Sequence, residues 1–216
     1  MILDDGRAPV RVLTLNRTDK ANALTPEMLE ALIAAVDRAG NEDVAALILT
    51  GAGKQFSAGA DLTAARAGLA TSPLWEALSA RIGALPCLTI AALNGTAAGG
   101  ALGMVLACDL RLAVPGARLF YPVMRLGFLP QPSDPLRLAA LVGPARARMI
   151  LLAGDRVDTE TALAWGLVDR LCPPEALLQT AHDLAADAAA AGTAHIAAIK
   201  RMIPAAEQLP PGGTLQ

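Results

Sequence analysis

The sequence predicts an α/β protein, with a strand–helix core over residues 1–153 and a mostly helical region over residues 154–216. Three observations carry that reading. Residues 44–50 and 88–93 are continuous apolar runs of strand length, the signature of strands buried on both faces of a parallel sheet. Segments with helical spacing separate the strands, as in alternating strand–helix units. After a loop punctuated by Pro130, Pro132 and Pro135, helix follows helix.

Taken in order, residues 10–16 alternate apolar and polar side chains like a half-buried strand. Thr25-Pro26-Glu27 offers an N-cap, a proline at the first helical position and an early acid. The helix it starts runs to about Gly40, with Leu29, Leu32, Ile33 and Val36 as its apolar positions. The strand at 44–50 ends at Gly51-Ala52-Gly53-Lys54. Residues 73–85 read as a helix, 88–93 as a buried strand and 99–108 as a buried helix, with short strands near 110–114 and 118–121. Helices are expected at 144–153, 158–165, 175–191 and 193–207, with a short strand at 167–171. The Pro- and Gly-rich tail, 209–216, is expected to fray.

At 216 residues the chain is most simply one domain with a sizeable core. Its 54% hydrophobic and 18% charged content fits a globular protein with broad subunit contacts. A net charge of −2 and 3% aromatic residues leave no footprint for nucleic acid or an anionic membrane. Cys87, Cys108 and Cys172 are widely spaced in apolar contexts, and His182 and His195 stand in no metal-ligand spacing with them. Buried free thiols, and no metal, are expected. The N-terminus has neither the basic start nor the apolar block of a signal peptide. The uncharged stretch 87–108 has the length to span a bilayer, but Asn94-Gly95, Thr96 and further glycines divide it into strand, turn and helix. The expected location is cytoplasmic.

Gly51-Ala52-Gly53-Lys54 does not make a phosphate loop, because Ile48 stands where the first glycine is needed and Gln55 where Ser or Thr must follow the lysine. Neither G-x-G-x-x-G nor G-x-S-x-G occurs, and Ser57 has no nearby histidine to activate it. Two small-residue turns remain: Phe56-Ser57-Ala58-Gly59-Ala60-Asp61 and Asn94-Gly95-Thr96-Ala97-Ala98-Gly99-Gly100. Each follows an apolar run and offers backbone N–H groups that no bulky side chain covers. Ala58 N–H ends one strand–turn unit, and Gly100 N–H opens a predicted helix, where donors are unpaired. Two such donors converging on one oxygen form an oxyanion hole, each worth about 3–4 kcal/mol of barrier.

Together the turns are more specific than either alone. With Leu15-Asn16-Arg17, Asn22-Ala23-Leu24, Cys108-Asp109 and Ala162-Leu163-Ala164-Trp165-Gly166-Leu167-Val168, the chain resembles the enoyl-CoA hydratase/isomerase (crotonase) family from about residue 10 to 178. The resemblance implies a spiral of β-β-α units that binds an acyl-coenzyme A thioester in a bent pose, coenzyme A being part of the substrate and not a resident cofactor. Ala58 and Gly100 match its oxyanion positions. Lys20 and Ala21 match the segment along the coenzyme A nucleotide, and Gly59, Ala60, Asp61 and Leu62 the segment facing adenine and pantetheine. Asp61 also suits the N-cap of the next helix. A homotrimer or hexamer is implied, although the chain ends a few helical turns sooner than the family pattern.

The acids of the family's hydratases are missing. Their two glutamates fall on Gly103 and Val123, and the aspartate of other branches falls on Gln131. The nearest acid is Asp134, a catalytic candidate whose competing reading is an N-cap followed by Pro135. Tyr121 is read chiefly as packing, and His195 as a partly exposed structural residue. Arg17, Arg125 and Lys200 are candidates for phosphate contacts or simply solvated charges. Enolate chemistry, such as isomerisation, follows better than hydration; the alternative is an acyl-CoA-binding protein without turnover.

Overall fold

The computed structural model describes residues 1–203. Its first half contains β1 (Ile2–Asp4), β2 (Val10–Leu15), α1 (Pro26–Asn41), β3 (Ala46–Gly51), α2 (Leu62–Arg66), α3 (Leu74–Ala84), β4 (Leu88–Leu93), β5 (Ala97–Ala98) and α4 (Ala101–Leu106). There follow β6 (Leu110–Ala113), β7 (Arg118–Phe120), α5 (Val123–Leu126), α6 (Asp134–Val142), α7 (Pro144–Leu151), β8 (Val157–Asp158), α8 (Thr159–Trp165), β9 (Arg170–Leu171), α9 (Leu177–Ala191) and α10 (Thr193–Met202).

The large sheet has the order β1-β2-β3-β4-β6-β9, and all its pairings are parallel except β1 with β2. A small sheet, β5-β7-β8, lies beside it. Isolated bridges extend the small sheet's pattern backwards, Ser57 to Ala97 and Leu24 to Ala60. Successive passes of the chain therefore give one long strand to the large sheet, one short strand or bridge to the small side, and a helix. That is the β-β-α spiral, and it brings β5, β7, β8 and both small-residue turns to the same side.

The continuous apolar runs are explained by burial on both faces. One face of the large sheet packs on α1, α3 and α4 through Leu47, Leu49, Ala91 and Leu93, and the other receives α9. The small side chains Ala181 and Ala185, one and two turns after Leu177, let α9 close onto Ile48, Ile90 and Leu112. Thr25 caps α1 as its sequence predicts, its Oγ1 accepting Met28 N–H at 3.3 Å. The stretch 87–108 divides into β4, β5 and α4, and no described helix is long and apolar enough to cross a membrane. Cys87, Cys108 and Cys172 are free and buried, and burial pushes the first two thiols up to about 11 and about 12.

Some boundaries differ from expectation. The helix expected at 99–108 is the six-residue α4. The strand expected at 167–171 is only Arg170–Leu171, because Leu167 and Val168 N–H both close onto Ala162 O at the end of α8. β8 and β9, from beyond residue 153, complete both sheets. Of the helix expected at 193–207, Thr193–Met202 is described; its end and the tail 209–216 lie outside the described residues.

Candidate active site

The two turns are zipped together by backbone. Ser57 N–H donates to Thr96 O at 3.1 Å, and Ala98 N–H to Ser57 O at 3.0 Å. Gly59 sits so close to the second turn that a Cβ there would lie 2.7 Å from Ala98 O, and its φ of +90° independently requires glycine. The Ser57 hydroxyl is consumed by this architecture: it donates to Asn22 O at 2.8 Å and accepts Gly59 N–H at 3.1 Å. It is a staple, consistent with the absence of a serine-hydrolase motif.

One expectation is corrected here. Ala58 N–H donates to Ala21 O at 3.0 Å, so it has no proton to offer a ligand. The free donor is two residues on. Leu24 N–H bonds Gly59 O at 2.7 Å and Asp61 N–H bonds Leu24 O at 2.8 Å. These bonds pin both sides of Ala60, while its own N–H meets no acceptor among the described residues. Gly100 N–H is free in the same sense, between Gly99 N–H, bonded to Phe120 O, and Leu102 N–H, bonded to Gly99 O. Three consecutive small residues, Ala58-Gly59-Ala60, gave no sequence cue to which N–H would be left over.

Ala60 and Gly100 both line a cavity of about 320 Å³ beside the small sheet. Its walls are mainly apolar, from Leu62, Trp75, Val123, Leu126, Phe128 and Leu129, with Tyr121, Gln131, Arg125 and Arg156 as its polar members. Trp75 packs so closely on Gly100 that a Cβ there would meet ring carbons at 2.9 Å, and its indole N–H is held by Leu69 O at 2.8 Å. A more open depression of about 470 Å³ between α3, α4 and α6 contains neither free amide.

The remaining expected residues fall around this cavity unevenly. Lys20 is exposed at the end of a short 3-10 turn, and Ala21 follows with φ +49°. Asp61 caps α2, accepting Thr63 and Ala64 N–H at 3.0 and 3.1 Å, and pairs with Arg17 at 2.9 Å. These hydrogen bonds, the backbone ones first, hold its carboxyl below the ordinary carboxylate range. Arg17 is thus committed to Asp61, and Lys200 to Asp109 and Cys87 O. Of the three phosphate candidates only Arg125 lines the cavity; Arg156, which sequence reasoning missed, lies 4.0 Å over the Phe120 ring beside it. His195 is exposed, on α10 away from the cavity lining.

Asp134 overturns its capping reading. Ser133 occupies the N-cap of α6, and Asp134 is the first helical residue, fully buried. Its Oδ2 accepts the Tyr121 hydroxyl at 2.9 Å, so Tyr121 is more than packing. Burial, opposed by that hydrogen bond, pushes the Asp134 carboxyl up to about 6.

The family model described as enoyl-CoA hydratase/isomerase matches residues 5–211. A Bacillus subtilis relative that carries the name enoyl-CoA hydratase/isomerase YngF is 39% identical over 189 residues, covering 84% of this chain and 72% of its own. The 1,2-epoxyphenylacetyl-CoA isomerase of Escherichia coli is 32% identical over 216 residues, 95% of this chain and 82% of that one. Among solved structures, an enoyl-CoA hydratase from Bacillus anthracis superposes with a TM-score of 0.86 at 32% identity, covering 93% of this chain and 81% of that one. With this spiral and this match along nearly its whole length, the chain belongs to the enoyl-CoA hydratase/isomerase family.

Proposed function

We propose that the protein binds an acyl-coenzyme A thioester with the carbonyl oxygen between Ala60 N–H and Gly100 N–H, and stabilises the enolate formed there. The observation that carries this is the pair of backbone donors, without an acceptor among the described residues, that line one apolar cavity. Such donors are aimed before the reaction begins, so charge developing on the oxygen is met without reorganisation. Arg125 and Arg156 at the same cavity suit the phosphates, and Lys20 and Ala21 border the turn that Asp61 and Arg17 brace. Coenzyme A is then part of the substrate.

Double-bond isomerisation fits these residues better than hydration. Gly103 and Val123 bring no acid to the cavity, whereas an enolate needs only its oxygen held and a proton moved. The relatives carry both names, hydratase and isomerase. Leu62, Met124, Leu126 and Leu129 are exposed near or at the cavity mouth, which favours assembly into a homotrimer or hexamer.

The test is a calorimetric comparison of butyryl-CoA with S-butyl-CoA, which lacks the carbonyl oxygen. Butyryl-CoA is expected to bind at least 10-fold more tightly, with light scattering on the same sample reading three or six chains. Equal affinities would rule out the thioester hole, and a monomer would rule out the assembly.

A further inference from the structure

Gly103 and Asp134 form a matched pair. A Cβ at Gly103 would lie 2.9 Å from both carboxylate oxygens of Asp134, so the acid reaching in from α6 fills the space beside α4 that a side chain would need. The carboxylate is cut off from the cavity: Asp134 is fully buried and absent from the lining. Its Oδ2 holds the Tyr121 hydroxyl, and its Oδ1 has no hydrogen-bond partner among the described residues. Tyr121 does line the cavity, and its oxygen also receives Gln131 N–H at 3.4 Å. Tyr121 is therefore the cavity-lining residue whose side chain hydrogen-bonds the buried carboxylate.

We propose, resting on the thioester reading above, that Tyr121 moves protons to and from the acyl chain while Asp134, acting through it, stores them. For a β,γ-unsaturated acyl-CoA, the α-carbon releases its proton to the Tyr121 oxygen as the phenolic proton passes to Asp134 Oδ2. The C–H electron pair becomes a dienolate held at Ala60 and Gly100, and Asp134 becomes a neutral acid. Return of a proton by the same route to the γ-carbon gives the α,β-unsaturated thioester and restores the carboxylate. Atoms and charge balance, and nothing is oxidised.

The surroundings suit that sequence. Burial raises the Tyr121 phenol well above its ordinary value, so it relays a proton in one concerted motion and does not stand as a phenolate. Around Asp134, burial and Glu76 of α3 favour the neutral acid, while Tyr121 and Arg137 favour the carboxylate. Glu76 also holds Ser133 N–H and Oγ at 3.2 and 3.1 Å, which fixes the start of α6 and hence the carboxylate. The balance leaves the acid at about 6, within reach of neutral-pH proton traffic.

The experiment follows α-proton exchange of butyryl-CoA in D₂O by NMR, with the full chain, between pH 5 and 8. The native protein is expected to exchange faster as pH rises through about 6. Asp134→Asn, which preserves shape but stores no proton, should lower the rate roughly 100-fold or more and abolish that inflection. Tyr121→Phe should do the same, and the double variant should be no slower than either single one. Butyryl-CoA affinity and cooperative unfolding should persist in all three. A merely structural hydrogen bond would leave the pH profile in place. Retained rate and inflection in either variant, or binding without exchange by the native protein, would overturn the relay. Should neither variant fold, a flat native profile would overturn it. Absence of butyryl-CoA binding would instead overturn the thioester site.

Discussion

Asp134 is a buried carboxyl whose Oδ1 has no hydrogen-bond partner among the described residues, so lost solvation penalises its charged form. Burial raises its pKa, so the native state gains from Asp134 being neutral. That gain is complete below about 4 and is lost as pH rises through about 6. Above that pH the ionised group costs the fold on the order of 3 kcal/mol. Asp134→Asn should therefore raise the unfolding temperature at pH 8 and change it much less at pH 4; an equal shift at both would contradict this account of the site. The sequence could not reveal this role. Asp134-Pro135 has the local form of a cap, and what turns the carboxylate inward is Gly103, a gap on another helix. Gly103 itself was legible as a missing acid, but its empty space was not legible as a seat for a different one.

At the scale of elements, the strands and the helix faces could be read in advance because burial writes itself as periodicity. β4 runs over the expected residues, and α1 is capped where Thr25-Pro26 indicates. Short pieces such as β5, β8 and α5 had no periodicity to read, and their pairing partners are distant in sequence. The same distance hid the choice between Ala58 and Ala60, which depends on Ala21 O and Leu24 arriving from another pass of the spiral. Asn22 sets that arrival. It is buried at φ +54°, its Oδ1 accepts Arg17 N–H at 2.8 Å, and its Nδ2 donates to Ala52 O and Gln55 O at 2.9 and 2.7 Å. Asparagine tolerates that backbone region better than alanine does. Asn22→Ala strands those buried groups and should destabilise the fold by about 2–4 kcal/mol, measured by urea unfolding. A change below about 0.5 kcal/mol would mean the turn does not depend on it.

For the whole molecule, two sheets wound by one spiral carry two distant turns to the same point, a meeting that the family resemblance implies. What the fold adds is which donors remain free among the described residues. The account rests on Ala60 and Gly100, with Ala58 excluded. Amide NMR on ¹⁵N-labelled protein tests this most directly, comparing butyryl-CoA with S-butyl-CoA. The account predicts that the Ala60 and Gly100 amide protons shift downfield with the thioester and not with the thioether, while Ala58 stays put. A thioester-dependent shift at Ala58, with Ala60 unmoved, would contradict it.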